Sequence, residues 1–117
     1  MRIRILIIFS AGLLLAGCSY KNEQLLIPEN SDCSSVNSSF SAAVQPILQT
    51  HCALGSACHG NGSVNGPGTL TSYTNARNAA LSIKDAVITG RMPMGSTLTA
   101  QQKQTISCWV DSGAPNN

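Results

Sequence analysis

Two cysteines and two histidines are crowded into nine residues, 51–59, near the middle of the chain. Cys52 and Cys58 are six positions apart, His51 precedes the first and His59 follows the second. A thiol can form a disulfide, a thioether or a bond to a metal, and imidazole is a common metal ligand. The sequence therefore concentrates in this segment the side chains able to hold a prosthetic group.

The pair Cys58-His59 matches the end of the Cys-x-x-Cys-His motif, in which both thiols attach c-type haem and the histidine ligates its iron. That motif separates its cysteines by three positions, but here the separation is six. A continuous helix would rotate Cys58 by about 240° from Cys52 and displace it by about 9 Å, too far for neighbouring vinyl groups. The segment is therefore predicted to leave helical geometry, and Gly55 and Ser56 suit such a bulge.

The N-terminal residues have the pattern of an export signal. Arg2 and Arg4 precede an apolar run over 5–16 that is too short to span a bilayer. The run ends in Leu15-Ala16-Gly17-Cys18, which resembles a bacterial lipobox and implies cleavage before Cys18 and lipid on that cysteine. An ordinary secretory signal with a chance cysteine is the alternative. Both interpretations predict a protein of the cell envelope, and the lipobox predicts a periplasm-facing or outer-membrane lipoprotein.

After Cys18 the chain is sized for one domain and has a sparse apolar core. Its 100 residues from Cys18 onward carry five basic and five acidic side chains, so no net charge favours nucleic acid. Only 18 of them are Leu, Ile, Val or Phe, and such a chain usually needs a disulfide, metal or cofactor. We therefore expect a signal peptide at 1–17, a lipidated flexible tether at 18–38 and one domain at 39–117.

Hydrophobic spacing and capping residues predict an all-α domain of about four short helices with long loops. The spacing of Thr99 and Gln102 is that of a capping box at the start of the last helix, while Ser72 and Gly90 suit a helix start and a helix end. The predicted elements are a loose turn at 40–43 and helices over about 44–51, 73–80, 82–89 and from 100 onward. A glycine-rich loop over 60–68 lacks the pattern of a phosphate-binding loop.

Two methionines follow in the loop Arg91-Met92-Pro93-Met94-Gly95. A thioether opposite His59 would give the His/Met ligation of electron-transfer haems. Met92 is the preferred distal ligand and Met94 the alternative. Arg91 is a candidate partner for a haem propionate, whereas His51 is expected to be exposed to solvent.

Five short segments, taken in their order along the chain, resemble the small class I cytochrome c domains of bacterial lipoproteins. They are Val44-Gln45-Pro46-Ile47-Leu48, Cys58-His59-Gly60, Met92-Pro93-Met94-Gly95, Leu98-Thr99 and Trp109-Val110-Asp111-Ser112-Gly113-Ala114. The resemblance covers about two thirds of the chain, and variants with a longer gap between the cysteines exist in this family. It implies an N-terminal and a C-terminal helix packed across each other, with haem enclosed between them and the methionine loop.

The resemblance also implies a role for each cysteine and ligand. His59 would be the proximal ligand, Met92 the distal ligand, and Cys52 and Cys58 the covalent attachments of haem c. Cys33 and Cys108 would form a disulfide, because the family fold brings the residues before the first helix to the last helix. The expected protein is a monomeric, membrane-anchored electron-transfer cytochrome that serves redox partner proteins and is not an enzyme.

Two alternatives remain open at the level of sequence. Cys52 and Cys58 could pair with each other, which would give a non-redox binding module, a helical lipoprotein held by two disulfides. The soft ligands Met92, Met94, His59 and Cys58 could instead bind Cu(I). An enzyme is the least supported class, because the chain has no paired carboxylates, activated serine or zinc-type ligand spacing.

Overall fold

A computed structural model describes residues 32–117, and this part of the chain is helical with no strand. A π-helical segment, Phe40–Val44, leads into α1 (Gln45–His51), which is followed by α2 (Tyr73–Asn78), α3 (Ala80–Ile88) and α4 (Ala100–Asp111). The predicted all-α class is therefore confirmed. The predicted signal peptide, the predicted lipidation site Cys18 and residues 18–31 of the predicted tether lie outside the described residues. Between residues 32 and 117, no helix combines the length and the apolar character that crossing a membrane requires.

Residues 40–43, predicted as a loose turn, belong instead to the π-helix Phe40–Val44, which continues directly into α1 and forms the first helical element with it. The Ser39 hydroxyl accepts a hydrogen bond from the Ala42 N–H at 3.2 Å and caps the π-helix. Pro46, which has no N–H to donate, follows in the first turn of α1, directly after the π-helical segment. The buried side chains of this element are Phe40, Val44 and Leu48. Their spacing places one apolar face against the core.

Helix α4 forms the centre of the core, and its residues 105–110 are all buried. The predicted capping box is present: the Thr99 hydroxyl accepts from the Gln102 N–H, and the Gln102 side chain accepts from the Thr99 N–H. Trp109 is fully buried, with its ring centroid 5.5 Å from that of Phe40. The first and last helical elements therefore pack against each other through aromatic side chains.

The disulfide between Cys33 and Cys108 is formed, with a Cα–Cα distance of 5.6 Å, and this prediction is confirmed. It joins the residues before the first helical element to α4. At the other end of the chain, Asn117 accepts hydrogen bonds from the N–H groups of Phe40 and Ser41, both at 2.9 Å. Both ends of the described chain are therefore attached to the helical core.

Helices α2 and α3 follow each other almost without interruption. Ser72 caps α2, as predicted, by accepting from the Asn75 N–H at 3.3 Å. The break falls at Ala79, so α2 ends two residues before the predicted boundary and α3 begins two residues earlier than predicted. Gly90 ends α3 with a φ of +72°, a conformation that glycine adopts without strain. Met92 and the rest of the methionine loop follow directly.

Candidate functional site

The chain turns back on itself immediately after α1. Cys52 ends the helix, and its carbonyl accepts a hydrogen bond from the His59 N–H at 2.9 Å. Gly55 has a φ of +150°, and its carbonyl accepts from the N–H groups of Cys58 and Gly60 at 3.0 and 2.8 Å. The predicted departure from helical geometry is therefore present, and it brings the two ends of the stretched motif together.

One cavity, of about 360 Å³, joins this motif to the methionine loop. Its wall includes both free cysteines, both histidines and both methionines of the loop: Cys52, Cys58, His51, His59, Met92 and Met94. The volume is within the usual range of small-molecule and cofactor sites. The fold therefore collects around one space the side chains predicted to hold a ligand, together with His51, although they come from two separate segments.

His59 is buried and fixed at both its main chain and its side chain. Its ring Nδ1 lies 3.0 Å from the carbonyl oxygen of Gly68, and its own carbonyl accepts from the Leu70 N–H at 2.8 Å. Because a carbonyl only accepts, Nδ1 is the donor in this contact, and in the neutral ring the lone pair is then on Nε2. Within residues 32–117 Nε2 has no hydrogen-bond partner. A histidine that donates one ring N–H to a backbone carbonyl is oriented as metal-ligating histidines are.

The glycine-rich loop supports this geometry in a way that the sequence did not indicate. The Asn65 side chain donates to the Ala57 carbonyl at 2.8 Å, and the Ser63 hydroxyl donates to the Cys58 carbonyl. Together with the Gly68 carbonyl, these groups hold residues 57–59 against the loop. Only the loop conformation brings these groups into contact, so no spacing in the sequence marks them.

The two cysteines of the motif differ in exposure. Cys52 is buried and Cys58 is exposed, and both are free thiols. Burial, with a smaller contribution from the nearby Cys58, raises the pKa of the Cys52 thiol to about 11. The Cys52–Cys58 disulfide of the two-disulfide alternative is therefore not formed in this structure.

The two methionines differ in the same way. Met92 is half-buried, and its N–H donates to the Ala86 carbonyl in α3 at 3.1 Å. Met94 is 82% exposed at the edge of the cavity. Arg91 does not line the cavity, because its guanidinium pairs with Asp85 on the surface. The position of Arg91 therefore gives no support to its assignment as a propionate partner.

The prediction that His51 would be exposed is wrong. His51 is half-buried at the end of α1 and forms part of the cavity wall. Its Nε2 lies 3.2 Å from the side-chain nitrogen of Gln102, at the start of α4. Sequence reasoning missed this contact because it depends on how α1 and α4 meet, and no local pattern encodes that meeting.

Among residues 32–117, no three His, Cys, Asp or Glu side chains lie together so that they could hold a metal ion. The donors that the cavity offers are imidazole, thiol and thioether groups. Comparison of the chain with family models, with curated proteins and with solved structures gives no match. Its function is therefore inferred from the site itself.

Proposed function

We propose that this chain is a c-type cytochrome with one covalent haem, which carries electrons between partner proteins while anchored to a membrane. One observation carries the proposal: Cys52, Cys58, His59 and Met92 share the wall of a single cavity. These residue types are the two thioether donors and the two axial ligands of an electron-transfer haem. Each is supplied by a short, constrained segment of the fold.

The side chains present fit the requirements of haem. His59 offers Nε2 as the proximal ligand, and the Gly68 carbonyl fixes its ring orientation. The half-buried Met92 is better suited to be the distal ligand than the exposed Met94. Haem, when bound, supplies a one-electron iron centre whose potential depends on these ligands and on burial.

The helical packing also supports a class I cytochrome c-like arrangement. The first and last helical elements pack against each other through Phe40 and Trp109. The disulfide between Cys33 and Cys108 follows from the same arrangement. Because apolar residues are few, the porphyrin would add apolar contact area that the side chains alone do not supply.

The remaining parts of the proposal come from the sequence. The lipobox at Cys18 makes the protein a lipoprotein of the cell envelope, facing the periplasm or held in the outer membrane. Its partners are redox proteins and the membrane that holds its lipid, with no role for nucleic acid. It acts as a monomer and transfers electrons without transforming a substrate of its own.

Expression with a haem-attachment system tests the proposal. The mature protein is expected to show a Soret band, to keep its haem in acidified organic solvent and to gain the mass of one haem. In the Cys58→Ala and Cys52→Ala variants, the number of thioether bonds to haem is expected to fall from two to one, whereas the Cys33→Ala variant keeps both bonds. A colourless mature protein with intact Cys52 and Cys58 contradicts the proposal.

A Cu(I) site is the second candidate. The observation that favours it is that Met92, Met94, His59 and Cys58 line the same cavity, and thioether and thiolate ligands suit Cu(I). Elemental analysis distinguishes the two candidates. Copper without porphyrin absorbance supports this site, and iron in equal amount to protein supports the cytochrome.

A further inference from the structure

The wall of the cavity contains no charged side chain. The described residues include seven charged side chains, and four of them pair on the surface as Lys84 with Asp111 and Arg91 with Asp85. Haem carries propionate carboxylates, and any side chain of this wall that binds them is a neutral hydrogen-bond donor. His51, Asn65 and Ser96 are the polar side chains besides His59 that line it.

The orientation of Gln102 determines which tautomer of the neutral His51 ring fits this contact. The Gln102 carbonyl oxygen already accepts from the Thr99 N–H at 2.9 Å, so its amide nitrogen is the group that faces His51. An amide nitrogen donates and does not accept. His51 Nε2 is therefore the acceptor, and the proton of the neutral ring is on Nδ1.

His51 is thus left with one available donor. Its Nδ1–H has no hydrogen-bond partner within residues 32–117. His51 lines the cavity and Gln102 does not, so the ring is held from outside the cavity by Nε2. By contrast, the Asn65 amide already donates to the Ala57 carbonyl at 2.8 Å.

We infer that His51 binds a carboxylate of the cavity ligand through Nδ1–H, with Gln102 as the residue that positions its ring. This inference rests on the proposed function, in which the carboxylate is a haem propionate. The Gln102 side chain then has two roles, because it caps α4 and also orients His51. Ser96, which is exposed, and Arg91, which pairs with Asp85, have no such support.

Binding of iron protoporphyrin IX and of its dimethyl ester to the full, haem-free chain tests the inference, because the ester removes the carboxylate charge. The wild-type chain is expected to bind the acid about tenfold more tightly than the ester, the usual magnitude for a hydrogen bond to a charged group. His51→Ala is expected to remove this preference, measured as the ratio of the two affinities, since the contact area lost with the ring affects both porphyrins alike. His51→Gln, which can still accept from Gln102 and donate to a carboxylate, keeps part of it.

Ser96→Ala and Arg91→Ala are the matched controls, and both are expected to keep the preference. If wild type binds both porphyrins equally, or if His51→Ala keeps the preference, the inference is overturned and the cytochrome proposal stands. If wild type binds neither porphyrin, the inference is overturned, and the cytochrome proposal is decided separately by expression with a haem-attachment system. Should His51→Ala not fold, as judged by circular dichroism, His51→Leu decides, because leucine fills similar space and cannot donate: a preference fully kept in His51→Leu overturns the role of His51.

Discussion

The main chain of Gly60 lies against that of Gly55, and a Cβ built on Gly60 would be only 2.7 Å from the Gly55 nitrogen. The Gly60 N–H also donates to the Gly55 carbonyl at 2.8 Å. A side chain at position 60 would therefore push apart the two halves of the loop that joins Cys52 to His59. Gly60 permits the close approach that lets a motif with a stretched spacing close on itself.

Gly60→Ala is expected to destabilise the protein by about 1–3 kcal/mol, the usual cost of forcing an extra methyl group into a packed site. Gly66→Ala is the control, because a Cβ there meets nothing within 4 Å and Gly66 has no positive φ. Urea denaturation gives both free energies of unfolding. Equal losses in the two variants would contradict the role given to the contact between Gly55 and Gly60.

If the chain binds haem as proposed, replacing Met92 and Met94 separately should identify the distal ligand. Met92→Ala is expected to convert the reduced, matured protein from six-coordinate to five-coordinate haem, because the thioether of this half-buried residue faces the cavity. Met94→Ala is expected to keep the wild-type spectrum, since Met94 is 82% exposed. Absorption spectra of the reduced proteins check this. The opposite pattern would assign the ligand to Met94.

Ser107→Ala is expected to stabilise the protein by about 1 kcal/mol. The Ser107 hydroxyl is buried in α4 with no hydrogen-bond partner among the described residues, and removing an unsatisfied buried group ends its desolvation cost. Ser112→Ala serves as the contrast, because that hydroxyl donates to the Trp109 carbonyl at 2.8 Å and its loss should not stabilise. Thermal and urea unfolding measure both changes. A less stable Ser107→Ala protein would refute the prediction.

In the haem-free chain, Cys52 should make stability fall at alkaline pH. Burial raises its pKa to about 11 in the folded chain, from 9.0. Between these values the unfolded chain has released the thiol proton and the folded chain still binds it. The free energy of unfolding therefore falls as pH rises through this window, by at most about 1.4 kcal/mol per pH unit. Below the window the thiol is protonated in both states, and Cys52 causes no loss of stability.

Urea denaturation between pH 7 and pH 10.5 measures this dependence. Cys52→Ala is expected to remove the alkaline decrease that belongs to Cys52. Cys58→Ala should keep most of it, because burial is the larger cause of the shift and Cys58 the smaller. The same decrease in wild type and Cys52→Ala would show that another group causes it.

Removing the disulfide should cost about 4 kcal/mol at 25 °C. The bond joins residues separated by 75 positions, and the chain-entropy model gives this magnitude for a loop of that length. The Cys33→Ser/Cys108→Ala double variant and the reduced wild type should lose similar free energies of unfolding in urea. If the double variant loses stability and the reduced wild type does not, the loss comes from changing the buried side chain at position 108 and not from removing the disulfide.

The parts of the fold that the sequence predicted well are those that local rules determine. The capping box of Thr99 and Gln102 and the helix end at Gly90 each depend on residues a few positions apart. The apolar spacing over Phe40, Val44 and Leu48 likewise requires only one helix. The boundary between α2 and α3 was displaced by two residues because the break at Ala79 follows from packing and not from a strong stop signal.

The parts of the site that were missed depend on contacts between distant segments. The Gly68 carbonyl meets His59 only after the glycine-rich loop has folded, and Gln102 meets His51 only after α1 and α4 have packed. Neither partner belongs to a motif. The pairing of Cys33 with Cys108 was predicted through family resemblance, since spacing alone allows other pairings.

The disulfide between Cys33 and Cys108 also makes a closed covalent ring, and every residue in the wall of the cavity lies inside it. A single protease cut in the exposed glycine-rich loop would therefore open the ring without releasing a fragment. The nicked molecule would migrate as one species on a non-reducing gel and as two after reduction. Whether the two parts of a cut chain stay joined thus depends on whether the surroundings keep the disulfide oxidised. They do so in oxidising compartments such as the cell envelope and not in reducing ones.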